Sequence, residues 1–565
     1  MSVEDVFYDP NIVALVLERE SVAETYLENN PYIQFKKALA SGYSIIYVRD
    51  TDVAKVVNNI ENYAINLYPL VLGLLGAQEL TASGIIQVQQ QPFLNLRGSG
   101  VLLGFIDTGI DYTQSAFRYE DGSSKILNIW DQTIRSGDSP ADFPYGTEYS
   151  NEQINEALRA EAPRSVLPHV DTVGHGTFIA SVAGSREAGE YIGAAPDAEI
   201  IAVKLKGARP FDRARFLVPS WQENAFSSDD FMMGVQYIVD KAFALRKPVA
   251  ICVSVGTNAG GHDGFLPLGG YMSRISSIIG VAACAAAGNE GQAGHHTYGH
   301  FNKAGETQDI EVRVGSSLQD FFLSVWNHAT DRISLSVKSP TGEQVARVPA
   351  RSGTSYTSKL VLERATVTVE YTFPIERTGA QISRVIILSA TPGIWTVTVH
   401  ADSVLDGTYH SWLPMTGLID PDITFLRPTP NYTVVSPANA LGLITCGAYN
   451  SRDNSFAAFS SQGPTRLEII KPDLVAPGVD VGGIYPGGPG VMSATSASAA
   501  ITTGACALML QWGIVEKNDV SLDSYRIRTN LIAGCDRDPN VDYPNNQWGY
   551  GRLNLYNTFR ALRPY

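Results

Sequence analysis

The 565-residue sequence predicts an α/β protein. It has a parallel sheet with helices on both faces, a small α+β unit ahead of it, and an inserted antiparallel β domain. Three observations predict this. Between about 99 and 300, apolar runs such as GVLLGFIDTG, AEIIAVKL, PVAICVSVG and SIIGVAACAAAGN alternate with stretches of helical spacing. Between 303 and 427 the period drops to two, with Gly and Pro turns. From 428 the α/β pattern resumes in ALGLITCGAY, FSSQGP and VAPGVDV. The β unit is therefore an insertion, and the expected divisions are 1–90, 91–302, 303–427 and 428–565.

Each element follows from its residues. GYSIIYVR (42–49) reads as a buried strand from its β-branched and aromatic run. DTDVAKVVNNIENYAIN opens on acids and repeats Val53, Val56, Val57, Ile60 and Tyr63 at helical spacing. LYPLVLGLLGA and GIIQVQQQP read as further strands. HGTFIASVAGS and SSDDFMMGVQYIVDKAFAL are helices, the second with a Ser/Asp start. The alternation in SLQDFFLSVWN, RISLSVKSPTGEQVARV and SRVIILSATPGIWTVTVHA predicts a sandwich or jelly roll.

Composition excludes several function classes. The net charge of −15 and the lack of a basic run argue against nucleic-acid binding. Cys252, Cys284, Cys446, Cys506 and Cys535 are scattered through apolar segments and read as buried free thiols. The N-terminus has no basic region ahead of its apolar stretch, and no run of about 20 apolar residues occurs. Cytoplasmic synthesis without a signal peptide or membrane span is the expectation. His295, His296 and His300 have metal-like spacing but no completing Cys or acid, so an exposed loop is expected. DPNVDYPNN (538–546) reads as a solvated loop. Neither a metal nor a cofactor is expected.

Four local features carry chemistry. Asp107 ends the buried strand in FIDTGIDY, and His175 lies between glycines where a helix starts. Asn289 sits in the turn AAAGNEG, and Ser496 opens the helix in SATSASAA. A serine hydroxyl needs an imidazole to take its proton, and the imidazole needs a carboxylate to fix its tautomer. The oxyanion then needs a side-chain amide and a backbone N–H, which a helix start supplies. Ser498 falls inside the helix and points to packing.

With these motifs, together with SVG (254–256), FSSQGP, KPDLVAPGV and GHGTFIASVAG, the sequence resembles the subtilisin-like serine proteases. The resemblance implies a subtilisin-like sheet, with Asp107 orienting the imidazole, His175 as base and acid, Ser496 as nucleophile and Asn289 as oxyanion donor. It implies that Ser254, Val255 and Gly256 pair with the substrate and wall its primary pocket. Residues 1–90 resemble the family's prodomain, a folding chaperone and inhibitor. The extended tail IIQVQQQPF, anchored by Ile86 and Val88, would then lie in the groove, with self-cleavage near Gln89, Gln90 and Gln91. The chain departs from the family at Ala494, where Gly is usual, and at Ala497 and Ala499. ARPFDRARFLVPSWQENAFSS (208–228) looks like an extra loop beside the groove. Within the family the sequence is most similar to the Csp spore-germination proteases. That implies a protein substrate, the pro-enzyme of a cortex hydrolase, with the chain's own prodomain and pseudoprotease relatives as further partners. The alternative is a pseudoprotease that binds a partner or signal through the same groove.

Overall fold

The computed structural model describes residues 3–19, 30–40, 42–57, 67–74, 81–91, 94–187 and 191–562. Its centre is an eight-stranded sheet. In spatial order the strands are Leu474–Pro477, Ile444–Tyr449, Val281–Ala286, Val249–Val253, Leu102–Asp107, Glu199–Lys204, Ile126–Asp131 and Thr147–Ser150. All pairs are parallel except the last, where Thr147–Ser150 runs antiparallel at the edge.

The central strands are apolar throughout because each buries both faces. Leu103, Phe105, Cys252 and Cys284 point to one side, against the helices His175–Gly184 and Thr495–Leu510. Leu102, Ile106, Ile251 and Ala283 point to the other, against Ser228–Leu245 and Pro267–Ile275. Alternation of side chains along a strand produces this two-sided core. All five cysteines are free and buried.

The N-terminal unit is an antiparallel sheet in the order Ile12–Glu18, Tyr43–Arg49, Ile33–Leu39. Phe7, Ile12, Tyr43 and Tyr47 join the core that covers the second face of the large sheet. Phe7 stacks on Tyr145 with centroids 4.2 Å apart, and the Tyr47 hydroxyl donates to Asp229 at 3.3 Å. The helical expectation for 50–66 holds for Val53–Val57; residues 58–66 lie outside the described residues.

The insertion is a two-sheet antiparallel sandwich. One sheet has six strands, from His296–His300 to Thr354–Lys359, and the other has five. Phe321, Leu323, Val325, Val385, Ile387 and Val397 fill the space between them. Two expectations are corrected here. His296–His300 is a strand paired with Thr408–Trp412, and His295 and His296 are buried, so the segment is no exposed loop and the insertion starts before 303. Ile85–Gln89 is a short helix, not a strand. Its Ile85 and Val88 are fully buried with Leu555 and Phe559, so residues just before 90 belong to the main core, not to the N-terminal unit. Periodicity fails over so short a run because five apolar-polar residues fit either state.

The helix Thr495–Leu510 and its continuation to Val515 are long and apolar enough to cross a membrane, but 83% of its 18-residue apolar window is buried inside the fold. Here it is the core helix. Gly504 lets it pass close to Ala194, where a Cβ would overlap the Ala194 methyl and come within 3.2 Å of the Ala183 carbonyl. Gly504→Val should therefore destabilise the protein by about 1–3 kcal/mol through overpacking. A denaturant titration with an unchanged midpoint would contradict this packing.

Candidate active site

Asp107 ends the central strand, at the edge where functional groups of a parallel sheet gather. His175 opens the next helix. Gly174 before it has φ 84°, a left-handed conformation that favours glycine. The helix start is tied to the Asp107 turn by one buried carboxylate, Asp171. Its Oδ1 accepts from the Thr108 hydroxyl at 2.8 Å and the Gly174 N–H at 2.7 Å. Its Oδ2 accepts from the Thr177 N–H at 2.9 Å and hydroxyl at 2.7 Å. Gly176 completes the junction, because a Cβ there would overlap the Gly109 carbonyl.

This junction brings the imidazole onto the carboxylate. His175 Nδ1 lies 2.8 and 2.9 Å from the two Asp107 oxygens. A carboxylate only accepts, so the neutral ring carries its proton on Nδ1 and its lone pair on Nε2. The Ser254 hydroxyl donates to Asp107 at 2.6 Å and the Thr108 N–H at 2.7 Å. Burial alone would raise the Asp107 carboxyl. The His175 ring and these donors outweigh it and hold the carboxyl below its ordinary range.

Ser496 is fully buried in the first turn of its helix. Its hydroxyl donates to the Ser254 carbonyl at 3.4 Å, a long bond. Its N–H belongs to the first turn, where the helix supplies no acceptor. Ser498 donates to the carbonyls of Ala476 and Pro477, both at 3.1 Å, and packs the helix against that edge strand. Ala494 has φ 167° and ψ −179°, an extended backbone open to any residue. The missing Gly therefore leaves no strain.

Asn289 is oriented by a donor that cannot be an acceptor. The Thr495 N–H lies 3.0 Å from its Oδ1, so the amide oxygen faces Thr495 and Nδ2 is turned away. The Thr495 hydroxyl accepts from Gly288 N–H at 3.1 Å and donates to the same Oδ1 at 3.1 Å. Contacts therefore run unbroken through Asn289, Thr495, Ser496, Ser254, Asp107 and His175. The site residues lie on elements up to 389 positions apart, since 496 − 107 = 389.

Sequence reasoning missed Asp171 and Glu290. The acid ahead of GHGT was the signal for the first, since an acid before a helix start is a cap. Glu290, next to Asn289, is buried; burial would raise it, but the facing His295 at 2.7 Å and the Thr416 donors hold it low. Its N–H donates to Ser461 of FSSQGP at 3.0 Å, fixing the Asn289 turn. A second pair, His169 with Asp131 at 2.6 Å, braces the same region. Ile110 N–H donates to its Nε2 at 3.2 Å, which puts the ring proton on Nδ1. Among the described residues no group of three His, Cys, Asp or Glu side chains could hold a metal ion.

A groove beside the site is occupied by the chain itself. Val71–Leu74 forms the middle strand of a small antiparallel sheet, with Gly73 and Leu74 opposite Gly256 and Val255, and Val71 and Leu72 opposite Ser227 and Phe226. Leu70 and Ser228 exchange hydrogen bonds at 2.8 Å. Val255 and Gly256 thus pair with an extended strand, while the Ser254 side chain turns to Asp107. The 208–228 segment supplies the other wall. The expected tail does not lie here. Gln89 ends a helix, and its amide donates to Gly193 and Ala194 carbonyls at 3.1 and 2.8 Å. Ile86 and Val88 are helical, and Gln90 and Gln91 follow in a turn, so none is extended as a groove strand must be.

This fold is that of a subtilisin-like serine peptidase. The subtilase family model matches residues 98–312 and 425–551, and the chain belongs to that family. The Clostridium perfringens CspB protease structure is 30% identical, with a TM-score of 0.76, over 86% of this chain and 99% of that one. Serine protease AprX of Bacillus subtilis is 29% identical over 149 residues, a match that spans 22% of this chain and 31% of AprX. Because Ala494 is extended, Ala494→Gly should relieve nothing. It should lower stability by about 0.5–1 kcal/mol through the unfolded chain's added freedom. A gain in the unfolding midpoint would reveal strain at that residue.

Proposed function

We propose that the chain is a serine endopeptidase in which Ser496, His175 and Asp107 act as nucleophile, base and orienter, with Asn289 as oxyanion donor. The unbroken contact path from Asn289 to His175 carries this reading. His175 Nε2 takes the Ser496 proton as Oγ attacks the carbonyl carbon. The oxyanion is held by Asn289 Nδ2 and the Ser496 N–H. The imidazolium, stabilised by Asp107, returns its proton to the leaving amine. Water then repeats the sequence on the acyl-enzyme. Substrate binds as a strand between 255–256 and 226–227.

The same geometry supports self-cleavage C-terminal to Leu74, before Thr81, in place of Gln89–Gln91. The strand 71–74 pairs with Val255 and Gly256, directly after Ser254, whose carbonyl receives the Ser496 hydroxyl, whereas Gln89–Gln91 would first have to unwind and leave the core. The N-terminal unit is then a prodomain whose last strand inhibits the groove. The resemblance to Csp germination proteases supports limited proteolysis of a cortex-hydrolase pro-enzyme as the physiological step.

Two experiments check this. Wild type expressed beside Ser496→Ala should release an N-terminal fragment whose mass ends it within 75–80, and only the wild type should do so. Intact wild-type chain, or a fragment ending at 89–91, would overturn the proposal or its cleavage position respectively. Ser254→Ala removes a donor from Asp107, so the carboxyl titrates higher. Loss of this charge-assisted hydrogen bond loosens the hold of Asp107 on the His175 ring, so kcat/KM should fall by about tenfold while the unfolding midpoint changes little. An unchanged kcat/KM would deny Ser254 this role.

A further inference from the structure

The inserted sandwich has one face that its own core does not explain. Along Gln319–Asn327, Phe321, Leu323 and Val325 fill the sandwich interior. The alternate residues Phe322, Ser324 and Trp326 point outward, yet are only 5%, 5% and 2% exposed. The neighbouring strand repeats the pattern, with Ile382 opposite Trp326 and Arg384 opposite Ser324. An outer sandwich face is ordinarily polar. Here it faces the 208–228 segment, the 259–266 segment, Arg466 and, at the start of the groove strand, Leu70.

Between these parts lies a pocket. The sandwich contributes Phe322, Trp326, Ile382 and Arg384, the 208–228 segment contributes Phe216, and Leu70 lines it from just before the groove strand. Leu70 immediately precedes the groove strand, and alternation puts it on the side of Leu72, two residues on. About 50 Å³ stays open beside it, enough to admit water. The rim is basic. Arg384 lies over the Phe322 ring at 4.6 Å and donates to the Arg215 carbonyl at 3.3 Å, and Arg215 lies over Tyr68 at 3.9 Å. Burial, and then the nearby Arg215 charge, pull Arg384 down to about 10, which leaves it cationic at neutral pH. Glu370, 3.8 Å away, is its acidic neighbour.

We infer that the inserted sandwich completes a distal subsite of the substrate groove. It accepts a large apolar or aromatic side chain at the place held by Leu70 and rejects a basic one. The physical reason is burial of the apolar side chain against Phe216, Phe322 and Trp326, and repulsion of a second ammonium by Arg384 and Arg215. This rests on the peptidase reading above.

The test uses the full-length wild-type chain and synthetic peptides copying its residues 67–80, with position 70 as Leu, Phe, Gly or Lys. Ratios of kcat/KM between peptides cancel any competition from the chain's own strand. Leu and Phe should be cleaved about tenfold or more better than Gly or Lys, as the burial of one large apolar side chain implies. Phe322→Ala should compress the Leu-to-Gly ratio toward one. If that variant fails to fold, the peptide series on the wild type still decides. Equal cleavage of all four peptides would overturn the subsite and leave the peptidase reading intact. Cleavage of none, with no self-cleavage and no difference from Ser496→Ala, would overturn both.

Discussion

The structure depends on a buried carboxylate. Asp107 is sunk at the end of the central strand, where an ionised group is costly without partners. Its partners come from three separate elements: the ring that opens the His175 helix, the Ser254 hydroxyl after a neighbouring strand, and the adjacent Thr108 N–H. Each partner must be held to within a few tenths of an ångström. The glycines at 109, 174 and 176 and the Asp171 clamp serve that fit. A site that must keep one charge ionised in the interior constrains much of the chain around it.

Ser254 joins the two halves of the chemistry. Its hydroxyl stabilises the carboxylate and its carbonyl receives the Ser496 hydroxyl, while the next two residues pair with whatever strand lies in the groove. In the proposed mechanism, three consecutive residues thus set both substrate alignment and proton transfer. The same economy appears at Asn289 and Glu290, where one side chain faces the nucleophile helix and the next anchors the connection to the inserted sandwich. The sandwich therefore enters the fold within a few residues of Asn289, the proposed oxyanion donor, and its outer face returns to line the far end of the groove.

Much of the site was legible in the sequence, because the catalytic residue types sit in local motifs with their own physical signatures. Asp107 follows a continuous apolar strand, His175 lies among the glycines of a helix start, and Ser496 precedes an apolar helix. The parallel sheet was legible for the same reason, since strands buried on both faces read as unbroken apolar runs. Ile85–Gln89 was not, because a five-residue run satisfies a strand or a helix alike and only its packing on Leu555 and Phe559 chooses. His296–His300 was not, because its partner strand lies more than a hundred residues away.

The sequence by itself determined the residue chemistry and the period of each element: a carboxylate, an imidazole, an amide and a hydroxyl, each at the end of a strand or the start of a helix. The tertiary structure decided which strand fills the groove, what the inserted sandwich faces, and which hydroxyl steadies Asp107. Those are outcomes of long-range packing and hydrogen bonding, in which the partner of a residue is chosen by where the folded chain passes and not by its neighbours along it.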